Sequence, residues 1–180
     1  MARVIMFLTD RFETVEALTP LDVLRRAGAE VVTVSITGRL EVMSAQKVEV
    51  KADMLLSDLV DKEADAYILP GGPGHVSMIG NEAIADMVSA ADEKKKVIAA
   101  ICAAPAVLGN IGVLNGHKAT VFPGFESQLY GADVVDEKVV VSGHIITAKG
   151  MGVSLQFGLA IVSALYGKEK ADSIGQAVQM

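Results

Sequence analysis

Tryptophan is absent from the 180 residues, and cysteine occurs once, histidine three times and proline five times. A lone cysteine, Cys102, cannot form an internal disulfide, which excludes a small secreted domain stapled by such bonds. Aromatic residues make up only 4% of a chain that is 51% hydrophobic. The core must therefore be built from Val, Ile, Leu, Ala and Met, residues that suit a parallel sheet covered on both faces. Basic clusters are also lacking. The longest run is Lys94–Lys96 and the net charge is -6, so nucleic acid is not an expected partner. The longest apolar stretch, Val97 to Leu108, contains Pro105 and falls short of the ~20 residues a membrane helix needs. The opening Val4–Leu8 run is too short for a signal sequence and is followed by Asp10 and Arg11. The expected compartment is the cytoplasm, with no membrane partner.

What is present is an alternation of apolar strands and helices over a length normal for one domain, residues 1–180. Arg3–Leu8 reads as a strand. Thr14–Ala27 reads as a helix with apolar residues at Val15, Leu18, Leu21, Val23 and Leu24, stopped by Gly28. Glu30–Ser35 is a second strand, and Leu40–Met43 with Val48–Lys51 forms a small hairpin or edge pair. Ala66–Leu69 is a short strand, Asn81 caps a helix running to about Lys95, and Val97–Ile101 is a fully apolar strand. A helix follows over Ala103–Ile111, with Pro105 tolerated in its first turn. Lys118–Val121, Val134–Asp136, Val139–Ser142 and Ile145–Ala148 are further strands. Helices over Val153–Tyr166 and Lys168–Val178 close the chain. The expected architecture is α/β, a doubly wound, mostly parallel sheet between helices. Ligands in such folds gather beyond the carboxyl ends of the strands.

Three segments fall at those ends. Cys102 stands where a buried strand turns at once into a helix, the geometry of a nucleophile elbow. The helix N-terminus there favours thiolate over thiol. A cysteine can also be an inert small hydrophobe, but the tip of a central strand argues for the reactive role. Leu69-Pro70-Gly71-Gly72-Pro73-Gly74 lets the backbone approach a ligand closely, and its N–H groups, with that of Ala103, can stabilise an oxyanion. In the third segment, Thr9 to Glu16, two carboxylates sit three residues apart. Either Glu13 or Glu16 can complement the helix dipole while the other points at Cys102. A charged carboxylate there opposes thiolate formation, and a protonated one donates a hydrogen bond to it.

Gly150-Met151-Gly152-Val153-Ser154-Leu155 opens a helix after a strand but lacks the third glycine and the acidic partner of a dinucleotide site. No P-loop, Gly-x-Ser-x-Gly motif or Cys/His spacing for a metal is present. His75 follows the glycine turn and is placed either in the cleft or in solvent. His117 and His144 flank strands and are expected at the surface.

Together, Glu16 with Pro20 to Gly28, Leu69-Pro70-Gly71-Gly72, Ala99 to Pro105, Thr147-Ala148-Lys149-Gly150 and Phe157 to Val162 resemble the DJ-1/ThiJ/PfpI family through nearly the whole chain. The resemblance implies a flavodoxin-like sandwich and a homodimer. It implies that Cys102 is the reactive cysteine, that Glu16 rather than Glu13 hydrogen-bonds its sulfur, and that Gly72 and Ala103 are the backbone donors. Gly71, His75 and Phe122 are the remaining pocket candidates. PfpI-type proteases place His directly after the cysteine, where this chain has Ala103. Many DJ-1-like members have His where this chain has Phe122, before Pro123, which brings the sequence closer to the YajL-like branch. The implied activity is glyoxalase III-like or deglycase chemistry on methylglyoxal or related small aldehydes, with no cofactor and no metal. The alternative is an oxidation-sensing stress protein or chaperone that uses Cys102 without turnover.

Overall fold

The computed structural model describes residues 1–180. The chain runs β1 (Arg3–Leu8), α1 (Thr14–Ala27), β2 (Glu30–Ser35), β3 (Glu41–Met43), β4 (Glu49–Lys51), β5 (Met54–Leu55), β6 (Ala66–Leu69), α2 (Glu82–Glu93), β7 (Val97–Ile101), α3 (Pro105–Ile111), β8 (Lys118–Ala119), β9 (Asp133–Val134), β10 (Val139–Ser142), β11 (Ile145–Ala148), α4 (Ser154–Tyr166) and α5 (Lys168–Ala177). Seven strands form one sheet in the order β10-β11-β7-β6-β1-β2-β5. All its pairings are parallel except the β10–β11 hairpin. The strand β5 carries no alternation over its two residues, and pattern reading passes over it.

The period-2 rule divides the strand side chains between two cores. Val4, Met6, Leu8, Ala99 and Ile101 face α1, α4 and α5. Ile5, Phe7, Ile98 and Ala100 face α2 and α3. With helices on both faces the central strands are buried throughout, hence their unbroken apolar runs. The sheet is thus doubly wound and flavodoxin-like, as expected.

Two details place the site. The buried stripe of α1 is Glu16, Ala17, Pro20, Val23, Leu24 and Ala27, not the stripe through Val15 and Leu18 that apolarity alone suggests. Val15 is exposed. An acidic side chain therefore occupies a core-facing position of the first helical turn. The β3–β4 hairpin docks on the loop after β1: the Arg11 N–H donates to the Met43 carbonyl at 2.7 Å and the Ala45 N–H to that of Phe12 at 2.9 Å. No helix is long and apolar enough to cross a membrane.

Candidate active site

The end of β7 dictates the conformation of Cys102. Its φ is 64°, a left-handed value that costs a non-glycine residue on the order of 1 kcal/mol. Neighbours hold it there. The Cys102 N–H donates to the Ala148 carbonyl at 2.8 Å, and its own carbonyl accepts from the Phe122 N–H at 2.9 Å. The residue is clamped between the end of β11 and the loop after β8, with its side chain only partly buried. Helix α3 starts at Pro105 rather than Ala103, so Cys102 stands on the elbow before the helix and not inside it.

Glu16 reaches this sulfur from α1. It is 1% exposed, and its Oε2 is buried with no hydrogen-bond partner. Burial pushes its carboxyl up to about 7 from an ordinary 4.5; the Cys102 thiol opposes the shift, the Glu13 charge adds to it, and the N–H groups of Gly71 and Met151 oppose it. Cys102 moves the same way. Burial, then the Glu16 charge, push its thiol up to about 12, against the backbone N–H groups of Gly72 and Ala103. The expectation that the helix start would lower this thiol is overturned: desolvation and a neighbouring carboxyl outweigh two N–H dipoles. The two groups titrate as one unit, bearing at most one negative charge around neutral pH.

Gly71 and Gly72 make this approach possible. A Cβ on Gly71 would lie 2.5 Å from Cys102 Cβ, 2.5 Å from Glu16 Oε2 and 2.7 Å from the Ile101 carbonyl oxygen. Gly71 therefore backs the pair rather than lining the cavity. Gly72 has φ 91°, and a Cβ there would strike the backbone of Arg11 to Glu13. The Glu13 N–H donates to the Gly71 carbonyl at 3.0 Å, which locks the glycine loop to the start of α1.

A cavity of about 430 Å³ opens over the sulfur, lined by Glu13, Glu16, Gly72, Cys102, Phe122 and Met151, with His75 and Phe125 on its wall. Its size admits a small molecule. Glu13 sits at its rim, accepting from Gln46 Nε2 at 2.6 Å. Of the two placements open to His75, the fold realises the cleft. The ring is 4% exposed, lies 3.0 Å from the Gly72 carbonyl through Nδ1 and meets Phe125 edge-on at 5.4 Å. Phe122 is 47% exposed at the cavity mouth. The fold thus gathers Cys102, Glu16, Gly72, Ala103, His75 and Phe122 at one place. Met151 and Phe125 were missed, because both come from loops whose position only the tertiary fold sets.

His117 and His144 correct another expectation. Both are half-buried and stacked edge-on at 5.5 Å, and His144 Nε2 lies 2.7 Å from Asp92 Oδ1.

An α/β fold with a strained cysteine elbow, a buried glutamic acid against it and a glycine loop behind both defines a cysteine-centred small-molecule site. The DJ-1/PfpI family model matches residues 2–164, and the chain belongs to that family. Protein DJ-1 homolog B of Arabidopsis thaliana is 38% identical over 177 residues, 97% of this chain and 40% of that protein. The chain thus spans less than half the length of that relative. A Caenorhabditis elegans protein named glutathione-independent glyoxalase DJR-1.2 is 31% identical over 164 residues, covering 90% of this chain and 87% of that one. The structure of Toxoplasma gondii DJ-1, described as oxidized, superposes with a TM-score of 0.95 at 35% identity, covering 99% of this chain and 98% of that chain.

Proposed function

We propose that this protein is a cofactor-independent enzyme acting on methylglyoxal or related small aldehydes, in the manner of a glyoxalase III, with deglycase action on aldehyde adducts as a variant of the same chemistry. One observation carries the reading: a carboxyl group with a midpoint near 7 buried against the single cysteine. A group with that midpoint serves equally as acid and base at neutral pH. The name of the C. elegans relative supports the substrate class.

The steps balance without a redox partner. The pair starts with one proton and one negative charge. The sulfur of Cys102 adds to the aldehyde carbon, and the pair's proton goes to the aldehyde oxygen, giving a hemithioacetal and a Glu16 carboxylate. The N–H groups of Gly72 and Ala103 hold the oxygen as charge develops on it. Glu16 then removes the hydrogen from the former aldehyde carbon and returns a proton to the adjacent carbon, while the hydroxyl proton of the first carbon passes to the oxygen of the second. The first carbon is oxidised and the second reduced, leaving a thioester of lactate. Water hydrolyses the thioester, releases lactate and restores Cys102. Covalent attachment splits one difficult rearrangement into easier steps.

Lactate release from methylglyoxal is expected to vanish in Cys102→Ser and to fall on the order of 100-fold or more in Glu16→Gln. Equal rates in wild type and Cys102→Ser refute the enzyme reading. A second reading, oxidation of Cys102 in a stress role without turnover, draws support from the oxidized state of the Toxoplasma relative. Peroxide adding two oxygens to Cys102 in a protein without lactate-forming activity would select it. We further propose a homodimer, on the exposed Val15, Met43 and Val48 of α1 and the β3–β4 hairpin; sedimentation as a monomer would exclude it.

A further inference from the structure

Asp92, His117 and His144 are far apart in sequence, and no motif joins them. The fold brings one ligand atom from each within 4.8 Å of the others. Asp92 stands on the last turn of α2, His117 precedes β8, and His144 is in the turn of the β10–β11 hairpin. The cluster lies at the amino ends of β7 and β11, since the Ile98 N–H donates to the His144 carbonyl at 3.0 Å. It is separated from Cys102 by the length of β7, about 15 Å.

We infer that these three side chains form a binding site for a divalent transition metal ion of the zinc type, distinct from the cysteine site. Two imidazoles and one carboxylate match the ligand preference of that ion, and three protein ligands leave a fourth position for water. The hydrogen bonding of His117 supports this. Its Nδ1 lies 2.9 Å from the Ser142 carbonyl oxygen, so that nitrogen carries the proton and donates. The lone pair is then on Nε2, and a backbone carbonyl orients the ring, as behind most metal-bound histidines. Asp92 supplies the carboxylate: its Oδ1 already faces His144 Nε2 at 2.7 Å.

Two adjustments accompany binding. Ligand atoms around a tetrahedral zinc ion lie about 3.3–3.5 Å apart, so the ring of His117 closes in from a spacing of at most 4.8 Å and the 2.7 Å His144–Asp92 contact opens slightly. Lys95, whose Nζ is 3.4 Å from Asp92 Oδ1, swings away; its side chain is 68% exposed and free to do so. The ion takes the lone pair of His144 Nε2 in place of the hydrogen bond to Asp92, and the single ring proton moves to Nδ1.

Because the protein has only three histidines, the unmodified chain tests the inference. Zn²⁺ is titrated into the protein while the ring resonances of all three are followed by nitrogen–proton NMR. The expected result is that His117 and His144 shift to saturation at one equivalent while His75 stays still. Cys102→Ser is expected to leave this unchanged, and Co²⁺ is expected to show tetrahedral visible bands without a thiolate charge-transfer band. Asp92→Asn is expected to weaken binding on the order of 100-fold. Unmoved His117 and His144 resonances in excess Zn²⁺ overturn the inference. So does binding that is lost in Cys102→Ser and kept in Asp92→Asn.

Discussion

Replacing Glu16 by Gln keeps the volume of the side chain and removes its ionisation, so it isolates what burial of this acid does to stability. In the folded protein the carboxyl titrates near 7, against an ordinary 4.5. Between those values the folded chain binds a proton that the unfolded chain has lost. The stability of the wild type therefore falls as pH rises through this window. It is full below about 4.5 and bottoms out above about 7. At 1.36 kcal/mol per pH unit the shift corresponds to about 3 kcal/mol in all, of which roughly 2–3 kcal/mol is lost between about pH 5 and 8. Groups elsewhere titrate alike in wild type and Glu16→Gln, so they cancel in the difference. Denaturant unfolding at the two pH values is the assay. The stability of Glu16→Gln relative to wild type is expected to rise by roughly 2–3 kcal/mol from about pH 5 to about pH 8. A difference that stays constant across the window refutes the buried, uncompensated acid.

Gly71→Ala places a methyl group 2.5 Å from both Cys102 Cβ and Glu16 Oε2. It is expected to cost about 1–3 kcal/mol, lowering the Tm by roughly 2–12 °C, and to slow Cys102 alkylation or turnover by about 100-fold; a wild-type Tm and rate would show that the pair is looser than described. Asn81 Oδ1 accepts from the Ile84 N–H at 3.2 Å at the start of α2, so Asn81→Ala is expected to lower stability by about 1 kcal/mol in denaturant unfolding. Phe157 is fully buried between α4 and the sheet, and Phe157→Ala is expected to cost about 3–5 kcal/mol by the same measurement.

Much of this fold was legible because its signals are strong and local. Apolar β-branched runs mark β1, β2 and β7, Gly28 closes α1 in the left-handed conformation, and Asn81 caps α2 as expected. Cys102 and the glycine turn were legible because both lie where strands end. Glu16 was distinguishable from Glu13 by resemblance, and the residues themselves held the clue: Glu16 continues the stripe of Ala17, Pro20, Val23, Leu24 and Ala27, a core position no solvated acid would take. The direction of the thiol shift was not legible, because it depends on how much water the fold removes from the sulfur. The grouping of Asp92, His117 and His144 was not legible either, since His144 and Asp92 are 52 residues apart and meet only through the parallel sheet.

The central claim is that Cys102 works beside a glutamic acid still half protonated at neutral pH. Carbon-13 NMR of the Glu16 carboxyl, followed across a pH titration of the wild type, tests it most directly. The expected midpoint is near 7, with a displaced curve in Cys102→Ser because the two groups share their charge. A midpoint at the ordinary 4.5, unmoved by the loss of the thiol, would contradict it.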